Sequence, residues 1–475
     1  MTVPTRARTV AVLVGVLIGG AACVVLAHDA VRAPGIVYRT APLLRDVAAW
    51  TAAAVLTALL VRRLPRRAAL VAVLLLAVAI RGAALADKAP VSDDLYRYAW
   101  DGHVQAAGGD PYRSPPADPA LAPLRAGQWY WPDAATCQRL QGHAGCTLIN
   151  RAGAPTIYPP AAELWFLALD ATGLPRLHDR GLELAGLGVD LAILAVLLSL
   201  WRRGSLDLGA PAFWALAPLA PLEIVADAHV DGVALLVTLA GLLAARRGRT
   251  TLAVVLLAVA TLVKLYPALL LLAVLPRRFR PAAGAVAVFA GVLVAGYLPH
   301  VLAVGTRVVG YLPTYLREEN YATGSRYLLV GLLGITGGAA TVVVLLVLGA
   351  TAFTVWWRRP DPLVGATVLY GVLLLLTTPV QPWYAVALAG VAVACGRPEW
   401  MAVGLAAYPV YARTVHDQSA VATGRLAYGL ALLVVLAAAA LRWRRWRIAV
   451  APGQAPRSGS AANARTPAPN PTAAR

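Results

Sequence analysis

The sequence predicts an all-α polytopic membrane protein with about 12–14 transmembrane helices, including a broken or re-entrant pair, and a structured external loop. Of the 475 residues, 59% are hydrophobic and 14% are charged, whereas soluble domains have about 45–50% apolar and about 25% charged residues. Apolar runs long enough to cross a bilayer recur along the chain. The 42 Lys and Arg residues are grouped in short clusters between those runs. These observations argue against a soluble enzyme and against a nucleic-acid partner.

Each membrane span requires about 20 mostly apolar residues. In chain order, such spans are predicted at 9–27, 47–61, 68–86, 181–201, 209–226, 230–245, 250–276, 281–298, 328–357, 362–379, 383–396, 400–412 and 421–441. Basic clusters adjoin them at 62–67, 202–203, 246–249, 277–280, 358–359 and 442–447. These clusters share one side if the N-terminus is cytoplasmic, and the positive-inside rule assigns that side to the cytoplasm. A multi-pass protein of the plasma membrane is therefore expected, with the lipid bilayer as its partner.

One segment, 250–276, has a basic cluster at both ends and is interrupted by Lys264 and Pro267. Two half-helices that meet near the bilayer midplane would return the chain to the cytoplasmic side, and broken helices of this kind are tolerated where they line a cavity. A single tilted span is the alternative, but it would invert every later segment.

The polar residues indicate how the chain is organised. All seven histidines are predicted outside, while the inner face keeps only Asp207, Asp361 and Glu399 among the acids. The chain therefore divides into N-terminal transmembrane helices (1–86), an external loop expected to carry the chemistry (87–180), a transmembrane core (181–450) with a second external loop (299–327), and a disordered cytoplasmic tail (451–475).

Two cysteines, Cys137 and Cys146, lie in the first external loop, where oxidation is possible. A disulfide between them and two free thiols are both compatible with the sequence. A zinc site is disfavoured because no second cysteine pair accompanies them.

The external loop opens with Ser92-Asp93-Asp94-Leu95-Tyr96-Arg97-Tyr98 directly after a predicted span. A serine before two aspartates is typical of a helix N-terminus. One carboxylate could cap that helix while the other faces a cavity as a general base. The alternatives are a cap with a solvated acid, or a metal-binding pair, for which no further acid is placed nearby in sequence.

Lys264 lies deep in an apolar stretch, where an ionisable residue is a functional hypothesis by default because it costs about 2.5–3.5 kcal/mol to insert. No acid is close to it in its own segment, so a bound phosphate is its predicted partner. The alternative is that its side chain reaches back to the cytoplasmic interface.

Three further groups of polar residues are predicted at the outer ends of spans. The first contains Glu223, Asp227, His229 and Asp231, the second runs from Tyr311 to Tyr327 and includes Arg326, and the third, around Trp383, is Thr378-Pro379-Val380-Gln381-Pro382-Trp383-Tyr384. The alternating aromatic and polar residues of the second group suit a sugar or a lipid headgroup, and the prolines and aromatic pair of the third group predict a rigid lip. The simpler explanations are a solvated turn for the first group and an interfacial aromatic belt for the second.

Taken together, these motifs resemble those of the GT-C glycosyltransferases, and more narrowly the bacterial polyprenol-phosphate-mannose-dependent mannosyltransferases. The resemblance runs from about residue 90 to residue 385. Besides the Ser92 motif, the residues that carry it are Gly109-Asp110-Pro111-Tyr112, Thr156-Ile157-Tyr158-Pro159-Pro160, the Glu223 to Asp231 stretch, Lys264 with Pro267, and Pro382-Trp383-Tyr384. Two extra spans precede the loop, which departs from the usual family pattern.

The resemblance implies a GT-C-like membrane enzyme that takes a sugar from a polyprenyl-phosphate donor and inverts its anomeric centre. It implies an extracytoplasmic active site, a glycan or glycolipid acceptor, and neither a metal nor another cofactor. An aspartate base is needed for the acceptor hydroxyl, and a cation for the leaving phosphate. The expected site residues are Asp94 and Asp93 for catalysis, Lys264 and Arg326 for the donor phosphate, and Tyr96, Arg97, Tyr112, Tyr158, Glu223, His229, Asp231 and Trp383 for substrate binding.

Within the Asp pair, Asp94 is the expected base, and Asp93 is expected to cap the following helix or orient the site. A transporter or flippase for a lipid-linked sugar is the rival function, since it too would have broken helices and an intramembrane lysine. The absence of a repeat in hydropathy and the concentration of polar residues in one loop argue against it. The sequence leaves open mannose against arabinose, and the acceptor.

Overall fold

The computed structural model describes residues 5–32, 36–86, 92–140, 142–416 and 418–450. The predicted tail at 451–475 and the first residues of the external loop, 87–91, lie outside the described residues. Within the described ranges the chain is helical, with one isolated bridge between His143 and Thr147 and no strand. This confirms the predicted all-α class.

The α-helices are α1 (Thr5–Arg32), α2 (Ile36–Val61), α3 (Arg66–Ala84), α4 (Asp94–Ala106), α5 (Ala122–Arg125), α6 (Ala134–Arg139), α7 (Pro160–Thr172), α8 (Asp179–Arg202), α9 (Gly209–Leu216), α10 (Asp231–Arg246), α11 (Thr250–Val263), α12 (Leu271–Val274), α13 (Phe279–Val304), α14 (Leu312–Glu318), α15 (Gly337–Arg358), α16 (Pro362–Thr377), α17 (Val386–Ala394), α18 (Met401–Val415) and α19 (Val421–Val450). A π-helical segment, Pro221–Ala226, follows α9.

Every predicted span corresponds to one of these helices or to a pair of them. Seven helical segments in the described ranges are long and apolar enough to cross a membrane, and they begin in α1, α2, α3, α8, α13, α15 and α19. Shorter apolar helices complete the set, among them α11, α16 and the segment Pro382–Ala394. The polytopic architecture is therefore confirmed, with several spans shorter than the bilayer thickness requires for a single helix.

The break in the segment 250–276 occurs at Lys264. Helix α11 ends at Val263, Lys264 is extended with φ −144° and ψ 141°, and a 3₁₀ turn, Tyr266–Leu270, leads into α12. Thr250 and Pro276 line one small cavity beside the start of α13. Both ends of the segment therefore lie at the same end of the molecule, as the re-entrant interpretation predicts.

Helix α8 leads from the 87–180 region to the basic cluster at 202–203, about 36 Å away along the helix axis, and we call the end of the molecule that carries this cluster the basic end. Each of the three acids predicted for it pairs with an arginine of a cluster. Arg62 Nε lies 2.7 Å from Asp207 Oδ1, Arg246 Nε lies 2.8 Å from Asp361 Oδ2, and Arg442 pairs with Glu399. These pairs tie together helices that are distant in sequence.

A buried ion pair stabilises the contact between α3, α8 and α9. Arg81 Nε lies 2.8 Å from Asp190 Oδ2, and both side chains are inaccessible to solvent. Trp214 Nε1 donates to the other Asp190 oxygen at 3.1 Å, and an Arg81 nitrogen donates to the Ala215 carbonyl oxygen. The charges compensate each other, so this pair is tolerated in an apolar core.

The 87–180 region is a structured layer in which α4 packs closely on α7. A Cβ atom on Gly102 would lie 2.3 Å from the Phe166 carbonyl oxygen, so only glycine permits this approach. The layer has its own core, which includes Leu95, Tyr98 and Trp100. Its cysteines, Cys137 and Cys146, are free thiols in this structure.

We predict that the 87–180 layer and the basic end lie on opposite sides of the membrane. Ala171 in α7 and Ser205 after α8 are both exposed, so each can be replaced by cysteine in a chain whose native cysteines are serine. In intact cells, an impermeant thiol reagent should label Ala171→Cys and leave Ser205→Cys unlabelled until the cells are opened. Equal labelling of both from outside would contradict this topology.

Candidate functional site

A cavity of about 290 Å³ lies where the 87–180 layer meets the broken helix. We call it the central cavity. Polar and aromatic side chains from five separate parts of the chain converge on it. Its lining consists of Asp94, Arg97, Asn150, Arg151, Ala154, Pro155, Ile157, Tyr158, Pro159, Lys264, Leu265, Tyr266, Tyr311, Leu312, Tyr315, Gln381, Trp383 and Tyr384.

Asp94 is the acid that lines this cavity. It is the first residue of α4, where the helix dipole favours a negative charge, and its backbone N–H donates to Ser92 Oγ at 3.2 Å. Asn150 Nδ2 donates to Asp94 Oδ1 at 3.0 Å. A neutral amide therefore holds the carboxylate in place, which leaves its charge uncancelled at the cavity.

Asp93 points elsewhere. It occupies the N-cap position of α4, but its side chain makes no capping hydrogen bond. Its Oδ2 atom lies 2.8 Å from His143 Nε2, and this hydrogen bond raises the pKa of His143. Of the two roles expected for Asp93, helix capping is wrong, because its side chain makes no capping hydrogen bond and the Ser92 hydroxyl accepts the N–H of Asp94. The other role, orienting the site, stays a prediction. Asp93 does not line the central cavity.

Lys264 enters the cavity from the break after α11. Its Nζ atom lies 3.1 Å from Asp231 Oδ2, and Tyr266 donates to Asp231 Oδ1 at 3.1 Å. The same ammonium group lies 5.2 Å from the Tyr158 ring centre and 5.6 Å from that of Tyr384, in cation–π geometry. With its side chain 13% exposed, Lys264 does not reach back to the interface. Its built-in counter-ion is Asp231, which sequence reasoning had placed in a separate group.

Arg97 presents a second cation to the cavity. Its Nε atom lies 2.9 Å from both carboxylate oxygens of Asp101, one helical turn away, and its Nη1 atom donates to the Ala154 carbonyl oxygen at 3.0 Å. Its Nη2 atom is buried and has no hydrogen-bond partner among the described residues. A buried guanidinium N–H without a partner carries a desolvation cost.

A pair of buried acids, Asp101 and Glu163, stands behind Arg97. Glu163 accepts from Thr156 Oγ1 at 2.6 Å and from Gln105 Nε2 at 2.9 Å. Burial and the neighbouring Asp101 carboxylate raise the pKa of Glu163 well above its ordinary value. Two carboxylates this close in a buried site cannot both be ionised. Burial also raises the pKa of Asp101, but the adjacent Arg97 counteracts that rise, so a proton shared by the pair resides preferentially on Glu163 while the Asp101 carboxylate faces Arg97.

A second group of buried polar residues lies behind Trp383. The His229 ring stacks on Trp383 with centroids 4.1 Å apart, and its Nδ1 atom lies 3.3 Å from Glu223 Oε2. Tyr408 donates to the other oxygen of Glu223. His229 and Glu223 do not line the cavity themselves. The stacked His229 ring holds the ring of Trp383 in place, and Trp383 lines the cavity.

Glu223, Asp227 and His229 bring ligand atoms within 4.8 Å of one another, which is the spacing of a possible metal site. His229 Nδ1 lies 2.9 Å from the Glu223 carbonyl oxygen and near the Glu223 carboxylate, and Tyr408 donates to that carboxylate. His229 Nε2, by contrast, is buried and has no hydrogen-bond partner among the described residues. Glu223 and His229 therefore form an internal hydrogen-bonded cluster.

The remaining predicted site residues lie outside the cavity lining. Tyr112 donates to the Tyr158 carbonyl oxygen at 2.6 Å, and Tyr96 packs against Trp129 at 5.3 Å. Arg326 lies 3.2 Å from Glu319, whose other oxygen accepts from the cavity residue Gln381 at 2.9 Å. Their contacts support the residues that face the cavity.

Several cavity residues were missing from the predicted set, namely Asn150, Arg151, Tyr315, Gln381 and Tyr384. Arg151 Nη2 lies 3.2 Å from Glu318, and the hydroxyls of Tyr315 and Tyr384 are 2.6 Å apart. All five stand in or beside the polar motifs of the sequence. Asn150 and Arg151 are the last two polar residues before the Thr156 motif, which is the signal that could have identified them.

The comparison with protein families bears on this site. Residues 157–379 match the family described as Glycosyltransferase family 87. The match covers slightly less than half of the chain, including the broken helix with Lys264, while Asp94 precedes it. No curated protein and no solved structure matches the chain.

The helical, multi-pass fold and the family match together support a membrane glycosyltransferase of GT-C-like architecture. This is the coarser part of what the sequence motifs predicted. The family match does not identify the sugar donor, the lipid carrier, the acceptor or the side of the membrane on which the site lies.

The Asp101–Glu163 pair yields a prediction about stability. Glu163→Gln should be tolerated within about 1 kcal/mol, because an amide can replace a protonated acid as donor and acceptor. Asp101→Asn should cost about 3–5 kcal/mol, because it leaves the buried Arg97 without its counter-charge. Thermal unfolding of the purified protein measures both variants.

The pH dependence provides the control for that prediction. Since the folded pKa of Glu163 is raised, the folded state holds a proton that the unfolded state releases. This contribution to stability is complete below the ordinary pKa of glutamate and is lost as pH rises towards the folded value. Glu163→Gln should remove it, together with the infrared carbonyl band of a protonated carboxyl group. Equal destabilisation by Glu163→Gln and Asp101→Asn would contradict the assignment of the proton.

Proposed function

We propose that this protein transfers a sugar, mannose by preference, from a polyprenyl-phosphate carrier to a glycan or glycolipid acceptor with inversion at the anomeric carbon. The observation that carries the proposal is that Asp94 and Lys264, 170 residues apart in sequence, line one cavity. A proton acceptor and a cation in one cavity are what transfer from a phosphate leaving group needs.

The charges around the cavity support an anionic donor. Three cations, Arg97, Arg151 and Lys264, line it together with a single acid, Asp94. Charge-assisted hydrogen bonds from these cations would hold a phosphate oxygen.

A lipid carrier is supported by the surroundings of Lys264. The next residue, Leu265, lines the cavity and is 43% exposed. Helix α13, which packs beside α11, exposes Val294, Leu298 and Leu302 to the surroundings. An apolar tail could therefore leave the cavity towards the bilayer while its phosphate remains beside Lys264, which suits a lipid phosphate better than a soluble nucleotide.

The proposed reaction is a direct displacement. The acceptor hydroxyl attacks C1 of the sugar, and Asp94 takes the hydroxyl proton as the new C–O bond forms. The bond between C1 and the phosphate oxygen breaks on the opposite face, so the configuration inverts. The charge that develops on the carrier phosphate is stabilised by Lys264 and Arg97. We place this reaction on the extracytoplasmic side of the plasma membrane, opposite the basic end.

The first test is the base. With purified protein, polyprenyl-phosphate-mannose and a panel of glycan acceptors, Asp94→Asn should lower single-turnover transfer by about 10²–10⁴-fold, the usual cost of losing a general base. Donor binding should be nearly unchanged, because the amide keeps the shape of the carboxylate. Asp93→Asn is the matched control and should retain most of the activity, since Asp93 faces His143 outside the cavity. Full activity of Asp94→Asn would remove this residue from the chemistry.

The second test is the phosphate cation. Replacing Lys264 alone leaves the buried Asp231 uncompensated, so Lys264→Met should lower stability by about 3–5 kcal/mol. The double variant Lys264→Met/Asp231→Asn removes both charges and should recover stability while donor binding and turnover stay low. Recovery of donor binding in the double variant would show that Lys264 serves the fold alone.

A further inference from the structure

A second cavity, of about 590 Å³, lies within the 87–180 layer. We call it the outer cavity. It is built by the end of α4, the segment around Trp129, the end of α7 and the turn that precedes α8. Its lining consists of His103, Ala106, Ala107, Gly127, Gln128, Trp129, Tyr130, Asp170, Gly173, Pro175, Arg176 and His178.

Helix α4 separates the outer cavity from the central one. Asp94 and His103 are nine residues apart, which places them on opposite faces of the helix and about 14 Å apart along its axis. The two cavities share no lining residue. A molecule in the outer cavity therefore cannot be the group that reacts beside Asp94.

The outer cavity has hydrogen-bonding groups that the fold does not use up. Asp170 Oδ1 lies 3.9 Å from His103 Nδ1, which is too long for a hydrogen bond. Arg176 and His178 are exposed at the rim. Gln128 Nε2 lies 3.2 Å from His103 Nε2, so these two side chains are oriented towards each other. Carboxylate, guanidinium, amide and imidazole groups thus surround one space.

The aromatic part of the lining is rigid. Trp129 donates from Nε1 to the Pro175 carbonyl oxygen at 3.1 Å, and the His178 ring stacks on it with centroids 5.3 Å apart and planes at 17°. Tyr130 crosses Trp129 edge-on at 5.1 Å. These contacts hold flat apolar surfaces beside the polar groups.

We propose that the outer cavity binds a neutral saccharide. Its volume falls in the range of about 300–1,000 Å³ that is typical of small-molecule sites. One acid, Asp170, and one arginine, Arg176, balance each other, which disfavours a strongly charged ligand. Hydroxyl groups can both donate to the carboxylate and accept from the guanidinium, and the C–H face of a sugar ring can pack on the aromatic rings. Its role would be to hold a part of the acceptor glycan distant from the reacting hydroxyl, and that role alone rests on the proposed function.

Binding can be tested without a donor substrate. The full chain in phosphatidylcholine nanodiscs is titrated with manno-, gluco- and arabino-oligosaccharides of two to six sugar units, followed by saturation-transfer NMR and calorimetry. The double variant Asp170→Ala/Arg176→Ala should weaken the best-bound oligosaccharide at least 10-fold. Arg139→Ala, an exposed residue of α6 that is not in the outer cavity, is the matched control and should bind like the wild type.

Two results would overturn the proposal: no binding of any oligosaccharide by the wild type, or unchanged binding by the double variant. Asp94→Asn separates this inference from the proposed function, because it should abolish transfer and leave oligosaccharide binding intact. In a transfer assay, the double variant should raise KM for long acceptors and leave transfer to the shortest acceptor unchanged. If neither the wild type nor any variant transfers a sugar, the proposed function fails. The binding measurements still decide whether the outer cavity binds a saccharide.

Discussion

The architecture of the site depends on the break in the helix at Lys264. An uninterrupted span would satisfy every backbone hydrogen bond and carry the chain across the membrane. Here α11 stops at Val263, Lys264 is extended, and the chain returns through a 3₁₀ turn to α12. The break places Lys264 at the C-terminal end of α11, beside Tyr158 and Tyr384. It also keeps α13 and all later helices in the orientation that the basic clusters require.

Each cation of the central cavity is paired with an acid that does not itself line the cavity. Asp231 serves Lys264, Asp101 serves Arg97, and Glu318 serves Arg151. Arg151 and Glu318 are both about half exposed, whereas in the two largely buried pairs, Asp231 with Lys264 and Asp101 with Arg97, this compensation makes the charge tolerable. It also fixes each cation in direction, so that the side facing the cavity is prepared for a ligand before the ligand arrives.

The sequence predicted the parts of this design that depend on local pattern. Hydropathy located the spans, paired basic clusters revealed the broken helix, and an isolated lysine and a Ser-Asp-Asp helix start marked two of the cavity residues. It could not predict the pairing of Lys264 with Asp231, because that contact depends on how α10 and α11 pack. For the same reason it missed Asn150, whose amide approaches Asp94 from a loop 56 residues away, and it gave Asp93 a capping role that Ser92 fulfils.

The pairing of each cation with its own acid also explains how Asp94 can remain available. Three uncompensated cations around one carboxylate would form an ion pair with it, and that pair would occupy the oxygen needed to accept a proton. Because Asp101, Asp231 and Glu318 already engage the cations, Asp94 is held by the neutral Asn150 amide and by its place in the first turn of α4. If the site works as proposed, with positive charge towards a phosphate and a carboxylate towards a hydroxyl, it requires the three acids outside its lining as well as the one acid within it.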